Sequence, residues 1–380
     1  MSRLDGRMPA GELPSMARRS SSSKPTPGAA LLAWYRAAAR EMPWRETRDP
    51  WAIWVSEIML QQTRVSVVKE RFSAFLRRFP HPAALARAED DELLSAWKGL
   101  GYYRRARLLR EGARKVLAEH GGRIPQDPRA FGALPGVGPY TKGAVLSIAF
   151  GLALPALDGN VERVGSRFLL LRENPRKKAG KERILAWIAE LHRQGPPGEI
   201  NQALMDLGAL VCSPRSPRCG ACPWKDRCAA RREGLQEELP RIPRGPEMKE
   251  VRTQAGLAFR SGLLLARRIP PGEINEGQWG LPGLGLPRPR GKDLAALLEK
   301  EHRIRVRPGP VLLLVRHAIT RYRVLLEVRP LRPAPPLGSP GEGLAYLDPR
   351  DSSLPWTTVT RKVLSRLEKE NLRHPLFPAG

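Results

Sequence analysis

Apolar positions recur every three to four residues through most of the chain from Ala29 to about Arg232, the spacing that buries one face of a helix. This periodicity predicts helices over Arg64–Phe79, Asp90–Lys98, Arg104–His120 and Lys181–Gln194. Asp49-Pro50 reads as the N-cap and first-turn proline of another. Strand-like alternation is missing from this half. Glu233 to Pro246 is polar and carries Pro240, Pro243 and Pro246, so it reads as a linker. Beyond it the pattern changes. Val251–Phe259, Gly262–Ala266, Val311–Val315 and Tyr322–Val328 predict strands, and Lys292–Glu301 and Thr360–Glu370 predict helices. The expected organisation is mainly α: a disordered, low-complexity extension over 1–28, a helical domain over 29–232, a linker over 233–250 and an α+β domain over 251–380. No internal repeat is visible.

Composition adds a partner class. The 380 residues hold 65 Lys and Arg against 38 Asp and Glu, a net charge of +27, which points to a polyanion: DNA, RNA or an anionic membrane surface. The longest uncharged run extends only from Gly143 to Leu157 and contains Pro155, too short to span a bilayer. The Arg-, Ser- and Pro-rich start has no apolar signal core, so export is not expected.

All four cysteines, Cys212, Cys219, Cys222 and Cys228, lie within one short segment, spaced C-x6-C-x2-C-x5-C. Disulfides that staple a fold close long loops, so this cluster reads as one metal or iron–sulfur site in a reducing cytoplasm. Zinc stays open, although a zinc ribbon normally shows two C-x2-C pairs.

Several other features carry possible chemistry. In Leu134-Pro-Gly-Val-Gly-Pro-Tyr-Thr141 two glycines, Gly136 and Gly138, precede an apolar helix. Free N–H groups there can hold a phosphate without reading sequence, or the segment is a plain glycine turn. Glu57 sits mid-helix among Ile53, Trp54, Leu60 and Gln61. It either points to solvent or is buried with a raised pKa, as a general acid requires. Asp158, in Asp158-Gly-Asn160, is either a simple N-cap or a carboxylate facing an electron-poor centre. From Trp97 to Lys115 seven basic residues face one acid, behind Gly99-Leu-Gly-Tyr-Tyr103. This stretch is either a DNA-wedging loop with a basic helix, or a solvated basic helix with Tyr packed inside.

Taken together these motifs resemble the helix-hairpin-helix DNA glycosylases and, within them, the adenine glycosylases of the MutY type. The resemblance runs from about Leu31 to Cys228, through Pro43-Trp-Arg45, Ser56-Glu-Ile-Met-Leu-Gln-Gln-Thr63, the Gly99 and Leu134 segments, Leu157-Asp-Gly-Asn-Val161, Asn201-Gln-Ala-Leu-Met-Asp-Leu-Gly208 and the cysteine loop. It implies a [4Fe–4S] cluster on the four cysteines. The partner it implies is double-stranded DNA with 8-oxoguanine:adenine or guanine:adenine mispairs, met by a monomer in the cytoplasm at the bacterial nucleoid.

By the same resemblance Glu57 and Asp158 are catalytic, with Asn160 and Tyr140 orienting them. Arg45 and Gln202 approach the adenine, and Gln62 and Tyr102 fill the opened duplex. Related lyases carry a lysine where this chain has Tyr140, and Lys142 is two residues off that helix face. The expected activity is therefore base removal without strand cleavage. The rivals are an endonuclease III-like lyase on damaged pyrimidines and a non-catalytic, metal-stapled DNA-binding protein. The C-terminal part resembles a Nudix-like (MutT-like) domain through Gln278-Trp-Gly-Leu-Pro-Gly283, but Leu297 to His302 lacks the Nudix glutamate signature. Recognition rather than hydrolysis is expected there, with Val315-Arg316-His317 as the counterpart of a lesion-reading loop and His317 its retained residue.

Overall fold

The computed structural model describes residues 24–243, 247–283, 293–319, 321–333, 343–351 and 353–369. The N-terminal part holds helices α1 (Pro27–Ala38), α2 (Pro50–Leu60), α3 (Val65–Arg78), α4 (Pro82–Ala86), α5 (Asp90–Ala96), α6 (Arg104–His120), α7 (Pro128–Gly132), α8 (Pro139–Phe150), α9 (Gly159–Phe168), α10 (Lys178–His192), α11 (Pro197–Leu210) and the short α12 (Ala229–Arg232). Among the described residues no helix is long and apolar enough to cross a membrane.

Helix α2 explains how the domain closes. Asp49 caps it by accepting from the N–H groups of Trp51 and Ala52, and every residue from Trp51 to Met59 is buried. A helix apolar all round has no solvent face, so it becomes the centre of a core. Its Trp54 belongs with Phe75, Trp97 and Phe131 to the core of one lobe. A second lobe packs α1 with α9, α10 and α11 through Leu31, Ile188, Leu204 and Trp224. The chain thus leaves the second lobe after α1 and returns to it at α9, so the two lobes face each other across a cleft.

Some boundaries move. Helix α1 starts at Pro27, inside the segment expected to be disordered, because Trp224 Nε1 donates to the Pro27 carbonyl at 2.9 Å. Residues 1–23 of that segment lie outside the described residues. The expected linker begins as packed chain, with Leu239 buried and its carbonyl accepting from Arg167.

In the C-terminal part the long strand β7 (Tyr322–Pro333) is central. Strand β1 (Lys249–Leu257) runs parallel along one side. On the other side β6 (Leu313–Ile319) and β5 (Val306–Pro308) pair antiparallel to it, end to end. A second sheet is built on β3 (Leu263–Arg268), antiparallel to β2 (Phe259–Arg260), β4 (Trp279–Gly280) and β8 (Leu344–Leu347). Helices α13 (Leu294–His302) and α14 (Thr358–Lys369) complete this α+β domain. Strands β4, β5 and β8 are two to four residues long, too short for alternation to reveal. The two domains meet through ions: Arg268 pairs with Asp91 at 2.6 Å, and Arg107 lies 3.8 Å from Asp90 and 3.7 Å from Glu276.

Candidate active site

The cleft between the lobes holds an open cavity of about 740 Å³, and residues expected from sequence to act together line it: Arg45, Glu57, Gln62, Tyr140, Asp158 and Gln202. Gly136, Gly138 and Asn160 also reach it. Its size is that of a small-ligand site.

Glu57 is 6% exposed, which decides between its two readings. Because α2 has no solvent face, a glutamate in its middle has no way out. Burial pushes its carboxyl up to about 7; the Tyr140 hydroxyl pulls it down, nearby Asp158 raises it and Arg45 lowers it. Tyr140 donates to Glu57 Oε2 at 2.7 Å. Burial and the facing carboxylates drive the phenol well above its ordinary range, so it acts only as a donor.

Asp158 is both N-cap and site residue. Its Oδ1 accepts from the Val161 N–H at 2.8 Å and its Oδ2 from Asn160 Nδ2 at 2.9 Å. Burial raises its pKa, while these two donors and Arg163 oppose the shift. Arg163 donates to Asn160 Oδ1 and to the Gly208 carbonyl, both at 2.8 Å, and to the Cys212 carbonyl at 2.7 Å. The carboxylate is therefore tied through α9 to the cysteine loop.

On the opposite wall Arg45 pairs with Asp206 at 2.8 Å and lies over the Tyr35 ring at 5.5 Å. Asp206 is fully buried and also pairs with Arg40. Tyr35 donates to Gln202 Oε1 at 3.4 Å. Sequence reading passes over Asp206; its only signal is an acid on an apolar helix whose cationic partner lies 161 residues away.

At the hairpin between α7 and α8 only Gly136 needs to be glycine on conformational grounds: its φ is +77°, and a β-carbon there would meet Leu108 Cβ at 3.0 Å. Gly138 has φ −88° and open space around it. Lys142 lays its side chain against Gly132, away from the cavity-lining residues.

The basic run over 97–115 splits between its two readings. Tyr102 is 48% exposed, Tyr103 is half-buried, and Arg105 and Arg110 turn inward and are buried. Tyr102 does not line the cavity, whereas Gln62 does. Both have left-handed backbone, with φ 47° and 56°.

His317 does not lie on a loop. It sits within β6 opposite Val324, because Val315 and His317 share the parity that faces the core and fix the segment as a strand. Its half-buried ring reaches a small cavity with Asn275 and Val359, while Arg316 is exposed.

The four thiols are free and half-buried. Burial and the other three thiols push Cys222 up to about 12, although the Trp224 N–H opposes this. Such a donor set needs a cationic centre to ionise, which fits an iron–sulfur cluster. Arg167 Nη1 reaches Cys212 Sγ at 3.3 Å. Among the described residues no three His, Cys, Asp or Glu side chains are grouped as ligands of a single ion.

Residues 55–190 match the HhH-GPD superfamily of base excision DNA repair proteins, and residues 212–228 match the iron–sulfur binding domain of endonuclease III. The chain is 36% identical over 294 residues to an adenine DNA glycosylase of Rattus norvegicus, covering 75% of this chain and 56% of that one. It thus spans about half the length of the mammalian relatives it matches. To an adenine DNA glycosylase of Mycolicibacterium smegmatis it is 37% identical over 275 residues, 70% of this chain and 89% of that one. A solved thermostable thymine-DNA glycosylase superposes with a TM-score of 0.51 at 31% identity, over 54% of this chain and 95% of that one.

Proposed function

The chain belongs to the adenine DNA glycosylase family, and we propose that it removes adenine mispaired with 8-oxoguanine or guanine from duplex DNA, hydrolysing the N-glycosidic bond and leaving the strand intact. The observation that carries this reading is the pair of unlike carboxyls on one cavity: Glu57, pushed up to about 7, and Asp158, held by two donors.

An adenine leaves its sugar poorly as an anion. Glu57, half protonated near neutral pH, gives a proton to a ring nitrogen of the flipped base, so a neutral base departs. Positive charge then grows on the sugar. Asp158 faces that charge with its two oxygens held in place by the Val161 N–H and Asn160. Water completes the substitution, with Glu57, now ionised, taking its proton. Tyr140 aims the glutamate by its hydrogen bond. Arg45, anchored by Asp206, and Gln202, anchored by Tyr35, hold the base edge from the other wall.

Among the described residues no lysine lines the cavity, and Tyr140 stands where the related lyases carry theirs, so Schiff-base cleavage has no nucleophile at that position. Cys212, Cys219, Cys222 and Cys228 would hold the cluster, which when bound would cross-link the loop that Arg163 ties to α9. The C-terminal domain, with His317, lies on the strand opposite the adenine and reads the lesion. The enzyme works as a monomer in the bacterial nucleoid.

The test is single-turnover cleavage of a duplex with one 8-oxoguanine:adenine pair, the adenine strand labelled, read with and without hot alkali. A break only after alkali is expected. A break without alkali makes the chain a lyase, and no break with tight binding removes the enzymatic reading.

A further inference from the structure

We propose that Arg105 is a positioning residue for base extrusion: its guanidinium sets the backbone of the two segments that carry Gln62 and Tyr102, so that both side chains enter the duplex as one unit. This rests on the adenine-excision reading above.

A single side chain joins the two segments. Arg105 Nη1 donates to the carbonyls of Ile58 at 2.7 Å and Met59 at 3.0 Å, and also to that of Gln61. Its Nη2 donates to Thr63 Oγ1 at 3.0 Å, the Leu100 carbonyl at 2.9 Å and the Gly101 carbonyl at 3.0 Å. Thr63 Oγ1 itself lies 3.0 Å from the Leu100 carbonyl. The residues on either side of Gln62 and the two before Tyr102 are thus held by one fork.

The backbone they hold is not one these residues adopt unaided. Gln62 and Tyr102 are left-handed, as are Gly99 and Gly101. A non-glycine residue stays there only where its surroundings over-determine it.

Charge points the same way. Among the described residues no carboxylate pairs with Arg105. Its positive charge meets the carbonyl end of α2 and the faces of Trp97 and Tyr102, at 5.5 and 5.6 Å. Burial lowers its pKa to about 10, which leaves it charged at neutral pH. If the place needed only filling, an apolar side chain would do it without the cost of burying a cation. What the guanidinium adds is direction, since the four N–H bonds of its two terminal nitrogens lie in one plane and are shared among these acceptors, and an ammonium cannot reproduce that.

The experiment compares the full chain with Arg105→Lys on two duplexes. In one the adenine is stacked opposite 8-oxoguanine with 2-aminopurine beside the pair; in the other the adenine sits in a bulge, already out of the stack. The variant is expected to excise about tenfold more slowly from the stacked duplex and to unstack 2-aminopurine less on saturating binding, while the bulged adenine changes by less than about twofold. Equal losses on both duplexes, or an unchanged fluorescence rise, overturn the proposal. Should Arg105→Lys fail to fold, Thr63→Val removes only the bridging hydroxyl and is expected to show the same split at smaller size; equal losses overturn it there too. A parent chain that unstacks the probe but removes no adenine refutes the excision reading, while the fluorescence arm still decides the role of Arg105.

Discussion

The Tyr140 hydroxyl lies 2.7 Å from Oε2 of Glu57, although the two residues come from different helices, 83 positions apart. Its bond favours the ionised carboxylate and so works against burial, which raises the pKa. Removing the hydroxyl alone leaves burial less opposed. Tyr140→Phe is therefore expected to move the alkaline limb of the excision profile upward from about 7, with a smaller loss of rate than removal of Glu57. Single-turnover rates from pH 5 to 9 read both. A downward or absent shift means the hydroxyl does not bond the carboxylate in the DNA complex.

Glu57→Gln removes the proton donor and is expected to slow excision by at least about 10²-fold, with duplex binding retained because phosphate contacts dominate affinity. It also makes a stability prediction with a definite sign. The folded pKa of Glu57 stands above its ordinary 4.5. Below that value both states hold the proton. Between about 4.5 and about 7 the folded state keeps a proton the unfolded chain has lost, so stability falls as pH rises. Glutamine has no such dependence. The variant should gain melting temperature over the parent at pH 8 and lose that advantage by pH 4. Parallel melting curves at the two pH values would show that Glu57 is not buried as an acid.

Glu57, Asp158, the glycine hairpin and the cysteine loop are legible in sequence because each is a local pattern: a residue inside an apolar helix, a cap, a turn, a spacing. What is not legible is how distant segments meet. Arg105 sits in a basic run that reads as surface, and the carbonyl of Ile58 that turns it inward is 47 residues back. Asp206 looks like one polar residue of a helix until Arg40 and Arg45 fold against it. Resemblance places His317 on a loop, whereas the burial parity of β6 sets it in a strand. The short strands β4, β5 and β8 exist only because neighbours pair with them.

Asp158→Asn separates the two jobs of that residue. Asparagine caps helices as well as aspartate does, so the bond from the Val161 N–H survives. It has one acceptor oxygen instead of two, so the bond from Asn160 is lost, at about 1 kcal/mol. The negative charge is gone as well. Excision is expected to fall by at least about 10²-fold while thermal unfolding shifts only modestly. Rates near the parental value would reduce Asp158 to a cap.

The cysteine loop makes the last prediction. Arg167 is fully buried and donates to the carbonyls of Leu239, Ser213 and Pro214, at 2.9, 2.7 and 3.0 Å, as well as to Cys212. These bonds hold one end of the loop; at the other end Trp224 is pinned in the second lobe with its Nε1 on the Pro27 carbonyl, and the thiols of Cys219, Cys222 and Cys228 around it are drawn together by a centre that the four share. Removing iron is therefore expected to loosen the backbone around Lys225 and Arg227 so that trypsin cuts there first, while the core around α2 keeps its helical signal. Arg167→Met removes the anchor of the first end at a cost of about 3 kcal/mol or more, and is expected to loosen the backbone at Arg215 and Arg218 for cleavage even with the cluster in place. Mapping the first cut by mass spectrometry distinguishes the two ends. An iron-depleted chain that resists trypsin as well as the loaded one would mean that Arg167 and Trp224 hold the loop without the cluster.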